Sequence, residues 1–170
     1  MSTYNIVAST EGSTVVAEYV SAYESGYKRS DAYQSEAELE CEFIRLLSEQ
    51  GYEYLTIHDE KALINNLRHQ LELINDYIFS DSEWEQFFTN CIANKNEGIV
   101  EKTRKIQTDH VQILHRDNGS TKNIYLIDKK HIHNNRLQVI NQYQEDQGNH
   151  DTRYDVTILV NGLPLVHVEL

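Results

Sequence analysis

With 170 residues, 39% of them hydrophobic and 25% charged, the chain has the size and balance of one soluble globular domain, and no apolar run approaches the roughly 18 residues of a membrane span. Its formal charge of −12 argues on its face against binding a polyanion, because a uniformly acidic surface repels phosphate across a Debye length of about 8 Å. Met1 to Ile6 lack the basic start and apolar stretch of a secretory signal, and Cys41 and Cys91 form no metal or redox spacing, which implies a reducing, cytoplasmic setting.

Residues 1–34 are polar and weakly periodic, and the expectation is an extended arm with one short strand near Thr14–Val16. At Ser35 the pattern turns helical: Ser35 and Glu38 have capping-box spacing, and Leu39, Phe43, Leu46 and Leu47 follow until Gly51 stops the helix. Tyr54, Leu55 and Ile57 indicate a short strand, and Leu63, Leu67, Leu71 and Ile74 mark a second helix over 60–76. Ser82 and Glu85 repeat the capping-box spacing ahead of a third helix. Its Trp84, Phe88, Cys91 and Ile92 form a buried stripe rather than a base-stacking platform. A shorter fourth helix over 97–106 carries Ile99, Val100 and Ile106.

Beyond Gln107 the period becomes that of strands. Val111 and Ile113, then Ile124 to Ile127, flank Asp117-Asn118-Gly119-Ser120, a hairpin signal; Leu137, Val139 and Tyr143 continue as an alternating strand that Gly148 ends. The last hairpin runs from Tyr154 to Val160, through Asn161-Gly162, and back along Leu163 to Leu170. Helices first and a sheet afterwards indicate that residues 35–170 form an α+β or α/β-like core, with the helices packed on the sheet and the domain only partly contained in the chain.

Charge is unevenly distributed. From Lys102 to Arg136 eight basic residues (Lys102, Arg104, Lys105, Arg116, Lys122, Lys129, Lys130, Arg136) stand against three acidic ones (Asp109, Asp117, Asp128), a local balance of +5. Such a segment can face phosphates while the rest faces solvent or a partner subunit, with Lys129, Lys130 and Arg136 as the candidate phosphate contacts; the alternative is a solvated mixed-charge surface.

Two carboxylates interrupt the apolar final hairpin, Asp155 near its start and Glu169 near its end. A carboxylate half-buried among apolar side chains is costly unless compensated, and a divalent cation is one compensator; a structural or solvent-facing role is the alternative. Register decides between them. A regular two-residue turn pairs Val160 with Leu163 and Asp155 with Val168, sending Glu169 to the other face. A three-residue loop, or a bulge near Pro164, pairs Val160 with Pro164 and sets Asp155 opposite Glu169. Because proline cannot donate to a ladder, the bulged register is expected. Two carboxylates holding Mg²⁺ can position a water, lower its pKa and offset charge on a phosphate.

The wording of the segment adds to this. Thr152 to Val166, with Tyr154-Asp155-Val156-Thr157-Ile158-Leu159-Val160-Asn161-Gly162-Leu163-Pro164 at its centre, then His167-Val168-Glu169-Leu170, resembles the nuclease segment of type I restriction R subunits, particularly the IC-like branch. The resemblance extends upstream through Tyr33-Gln34-Ser35-Glu36, Leu39-Glu40, Gly51-Tyr52-Glu53, Ser80-Asp81-Ser82-Glu83-Trp84, Lys102-Thr103-Arg104-Lys105-Ile106 and Asn123 to Lys130. It implies a PD-(D/E)xK nuclease fold in which Asp155 and Glu169 are the catalytic, Mg²⁺-binding acids. It also implies double-stranded DNA as substrate and methyltransferase and specificity subunits as partners. The family's lysine, two residues after Glu169, falls past Leu170, so the chain as it stands is expected to be inactive or nearly so. The rival expectation is a non-catalytic assembly or DNA-docking fragment. No GxxxxGK[ST] loop is present, and ATP belongs only to the full-length parent.

Three further features have weaker claims. Glu36 and Glu40 lie on the first helix, where some nucleases of this class place another acid near the metal, although capping and solvent exposure explain them equally. His131 and His133 have strand-like spacing without an evident third ligand, and His167 lies beside Glu169 in the hairpin.

Overall fold

The computed structural model describes residues 4–9, 14–18, 35–145 and 152–170. They fall into two compact units, Met1–Ser35 and Glu36–Leu170. In the first, β1 (Tyr4–Ser9) pairs antiparallel with β2 (Thr14–Glu18), with an irregularity between Ile6 and Ala8. A hairpin thus stands where the sequence suggested a single strand in an arm, because neither strand is long enough for its alternation to stand out from the polar background.

The second unit begins with α1 (Glu36–Glu49), followed by the two-residue β3 (Glu53–Tyr54). Glu36 and Glu38 occupy the first turn of α1, where the helix dipole favours negative charge. The buried stripe of α1 is Glu40, Phe43, Ile44 and Leu47, spaced i, i+3, i+4, i+7, while Leu39 and Leu46 are exposed. This corrects the expected face: a glutamate occupies an inward position that apolarity alone assigned to its neighbour.

Helix α2 (Glu60–Asn75) is capped by Asp59, whose carboxylate accepts from the Ala62 amide at 2.8 Å. Helix α3 (Asp81–Phe87) is capped by Ser80 and Glu83, not by Ser82 and Glu85. Both pairs have the right spacing; the frame is decided by the hydrophobic staple, since Phe79 ahead of the cap packs its ring 5.4 Å from that of Trp84. A π-helical turn (Phe88–Ile92) and α4 (Ile99–Gln107) follow; Ile99 and Val100 are exposed on α4.

Then come the hairpin β4 (Val111–His115) and β5 (Thr121–Tyr125), a 3₁₀ turn (Ile132–Asn134), β6 (Leu137–Glu145), β7 (Thr152–Val160) and β8 (Leu163–Val168). The main sheet has the order β3-β6-β7-β8, mixed because β3 runs parallel to β6 while the other pairs are antiparallel. The expected Gly148 strand end lies outside the described residues.

Both faces of this sheet are covered. Val139 and Val156 pack with Leu47, Phe43 and Ile44 of α1, while Ile140 and Leu159 pack with Ile57 and with Ala62 and Leu63 of α2. A third cluster joins α2, α3 and the β4–β5 hairpin through Leu67, Leu71, Phe79, Trp84, Leu114 and Ile124. Trp84 is therefore core, with Phe88, Cys91 and Ile92 packed partly buried against the same cluster as their spacing indicated, and Phe87, which the spacing had not singled out, is buried as well. Among the described residues no helix is long and apolar enough to cross a membrane.

Glu83 ties the hairpin to α3. It is 5% exposed and accepts from the Tyr77 hydroxyl at 2.7 Å and from the backbone N–H groups of Ser80 and Asp117. The Tyr77 hydroxyl, aided by those backbone donors against the opposing effect of burial, holds the Glu83 carboxyl below its ordinary 4.5. A depressed folded pKa contributes stability above the unfolded value, and that contribution is lost as pH falls through the folded one. Glu83→Gln is accordingly expected to cost about 1–3 kcal/mol at pH 7. Urea titrations should show the difference from wild type closing as pH drops below 4.5; a gap independent of pH would refute the carboxylate's role.

Candidate functional site

The final hairpin turns at Asn161 and Gly162, with φ of 51° and 79°, the two left-handed residues that a tight two-residue turn requires. Asn161 is buried and fully used. Its backbone N–H donates to the Arg136 carbonyl at 2.9 Å, its Oδ1 accepts from the Arg136 amide at 2.8 Å, and its Nδ2 donates to Leu126 O and Asn135 Oδ1. The turn is thereby fixed to the 126–136 loop and, through Gly162, to the backbone of α2 at Leu67.

From this fixed turn the register follows. Val160 pairs with Leu163 and Leu159 with Pro164; the pairing then shifts, so that Ile158 meets Val166, Thr157 meets His167 and Val156 meets Val168. The loop is thus two residues long, and Val160 does not pair with Pro164 as the bulged alternative had it. A bulge is present nonetheless, one step further along, with Leu165 as the extra residue. Continued by one residue, the register sets Asp155 level with Glu169. The returning chain reaches Asp155 directly, since the Leu170 N–H donates to Asp155 Oδ2 at 2.8 Å. Asp155 is half-buried and Glu169 exposed.

The neighbouring strand is irregular at the same level. β6 pairs Asn141 with Val156 and Tyr143 with Tyr154, and between them Gln142, at φ 54°, stands opposite Asp155. Glu40 of α1, 7% exposed, accepts from Asn141 Nδ2 with one oxygen and from Gln142 Nε2 at 2.9 Å with the other. The Tyr54 hydroxyl donates to Asn141 Oδ1 at 2.9 Å. Of the two first-helix acids considered from sequence, Glu40 is therefore beside the Asp155 level and Glu36 is exposed at the helix start.

His167 pairs its Nδ1 with Thr157 Oγ1 at 2.9 Å and stacks on Tyr154, ring centroids 4.0 Å apart. His131 is exposed with Nδ1 3.5 Å from Asp128, and His133 lies in the 3₁₀ turn. Among the described residues no group of three His, Cys, Asp or Glu side chains is arranged to hold a metal ion.

The basic segment is divided. Lys105 is bound to Glu97 and the Cys91 carbonyl, Arg116 donates to the Tyr77 hydroxyl, Lys122 lies over the Tyr77 ring and Lys129 donates to the Gln107 carbonyl. Lys130 and Arg136 are exposed. Arg136 is level with Asn161, six residues along β7 from Asp155, a span of about 20 Å at strand rise. A cleft of about 760 Å³ lined by Glu53, His133, Arg136 and Val160 opens at that turn end, away from the carboxylates. Arg136 and the two acids thus lie at opposite ends of the sheet, while Lys129 and Lys130 belong to the loop that precedes Arg136.

Residues 33–170 match the family described as type I restriction enzyme R protein N terminus. The chain belongs to that family. It is 48% identical over 149 residues to the EcoprrI endonuclease subunit of Escherichia coli, covering 87% of this chain and 47% of that protein. It is 38% identical over 143 residues to the SsaAORF53P endonuclease subunit of Staphylococcus saprophyticus, and 40% identical over 144 residues to the SauMSSORF170P endonuclease subunit of Staphylococcus aureus. These alignments cover 81% and 82% of this chain and 15% of each staphylococcal protein. The chain is therefore the N-terminal region of a type I restriction enzyme endonuclease subunit and spans about half or less of the relatives it matches.

Proposed function

We propose that Asp155 and Glu169 are the metal-binding acids of a PD-(D/E)xK-type nuclease centre, and that the full-length subunit uses it to cut double-stranded DNA. The observation that supports this reading is the bulge at Leu165, after which the register, continued one residue beyond Val156 and Val168, sets Asp155 level with Glu169. A bulge next to chemistry is a familiar device for re-aiming side chains.

The donor set suits a small hard cation. Two carboxylates leave most of an octahedron to water and phosphate oxygens, which is how Mg²⁺ is ordinarily held beside a phosphodiester. When bound, Mg²⁺ lowers the pKa of an attacking water and offsets charge on the scissile phosphate. The chain itself contributes alignment: the sheet fixes Asp155, the Leu170 amide holds one of its oxygens, and the returning strand delivers Glu169. Arg136 would meet a DNA phosphate about 20 Å from the cut, roughly six base pairs along a duplex, and the exposed Lys130 is a second candidate contact. ATP use and assembly with methyltransferase and specificity subunits belong to the full-length protein.

Asp155→Asn or Glu169→Gln in the full-length subunit is expected to lower DNA cleavage by about a hundredfold or more, the scale of losing one group that stabilises transition-state charge. ATP hydrolysis should be largely unchanged. Wild-type cleavage by either variant at saturating Mg²⁺ would refute the assignment.

A further inference from the structure

Glu40 is nine-tenths buried, yet no arginine or lysine among the described residues holds it; its two oxygens instead take the side-chain amides of Asn141 and Gln142. Successive side chains on a strand point to opposite faces, so one carboxylate cannot normally reach both. The left-handed backbone at Gln142, φ 54°, makes it possible. Its effect is visible on both sides. Val139 packs on the α1 face and Ile140 on the α2 face, but Tyr143, which strict alternation would send toward α1, packs with Ile140 and Leu159.

The same inversion occurs across the ladder. Val156 belongs to the α1 face, whereas Tyr154, two residues earlier, stacks on His167, the pairing partner of Thr157. Asp155 is the residue at which β7 changes sides, and it stands opposite Gln142. A left-handed non-glycine residue is unfavourable and persists only where surroundings over-determine it; Glu40 is one group that binds the Gln142 side chain directly.

We infer that Glu40 is a positioning residue: by clamping Asn141 and Gln142 it maintains the left-handed step in β6 that aims the Asp155 carboxylate. The inference rests on the metal reading of Asp155 and Glu169, and it assigns Glu40 no contact with the metal. Loss of a group that orients a metal ligand generally costs about 10–100-fold in affinity.

The test uses the 170-residue chain with Mn²⁺ as calorimetric probe, and NMR as a metal-free readout of the three-bond coupling at Gln142 and the carboxyl-carbon shift of Asp155. Glu40→Ala is expected to move both NMR signals and to weaken Mn²⁺ binding about tenfold or more. Adding Gln142→Gly should restore most of the affinity, because glycine adopts positive φ without a clamp. A Glu40 that ligated the metal, or that merely filled space, would not be rescued in this way, and failure of rescue overturns the inference. Unchanged NMR signals in Glu40→Ala overturn it as well, whether or not Mn²⁺ binds. Failure of the metal reading shows separately, as Mn²⁺ binding that is absent or indifferent to Asp155→Asn.

Discussion

On the proposed metal reading of Asp155 and Glu169, a single alanine inserted between Val166 and His167 of the full-length subunit is expected to abolish DNA cleavage, whereas deletion of Leu165 is expected to keep most of it. The asymmetry follows from the ladder. Val160 and Leu163 are fixed by the turn, and Leu165 is the one residue of β8 without a partner on β7. Deleting it lets Val166 follow Pro164 directly, so that Ile158 still meets Val166 and Asp155 still stands level with Glu169. An added residue beyond the bulge pushes Glu169 one step past Asp155. Because strand side chains alternate, that single step also turns Glu169 to the opposite face. Both carboxylates remain in the protein, but the alignment they need is gone. A cleavage time course on the two variants, with far-ultraviolet circular dichroism and ATP hydrolysis as controls for folding, checks the pair. Robust cutting by the insertion variant would show that the level placement of Asp155 and Glu169 is not what the reaction uses.

The extent to which this arrangement was legible in the sequence differs from one element to the next. The second helix and both late hairpins were readable because their apolar spacing and turn residues agree: Leu63, Leu67, Leu71 and Ile74 recur at helical intervals, and Asn161-Gly162 supplies the two positive φ values. The bulge was legible in kind, through Pro164, but not in place. Proline forbids a donor without saying which neighbour is extruded, and the turn proved tight because Asn161 is held by Arg136, Leu126 and Asn135, contacts made from far along the chain.

Glu40 was the harder case. A glutamate on an amphipathic helix reads as solvent-facing, and only the pairing of Asn141 and Gln142 against it, about a hundred residues later, accounts for its burial. A polar residue inside an apolar stripe, followed far downstream by adjacent side-chain amides in a strand, was the signal available. The frame of α3 failed for a similar reason. Ser80/Glu83 and Ser82/Glu85 are equivalent as spacing, and Phe79 against Trp84 breaks the tie. The basic segment misled in the other direction: four of its eight cations, Lys105, Arg116, Lys122 and Lys129, are engaged within the fold, so local charge overstated what is offered to phosphate.

Gly162→Ala is expected to destabilise the second unit by about 2–4 kcal/mol, lowering its melting temperature by roughly 10 °C. Two costs add. At φ 79° an L-residue loses about 1 kcal/mol relative to glycine. The new methyl would also lie 2.6 Å from the Leu67 Cα and 3.0 Å from its amide nitrogen, and these are backbone atoms of α2 that no rotamer change can move aside. Forcing one carbon into such a contact costs about 1–3 kcal/mol and shifts whatever the backbone carries. Gly119→Ala provides the control, because Gly119 has nearly the same φ, 82°, and open space around it. It should cost only the conformational part, about 1 kcal/mol. The difference between the two variants in urea denaturation therefore measures the steric part alone. A difference near zero would mean that α2 is not wedged against the hairpin turn, and the fixed point from which the register of β8 is counted would be lost with it.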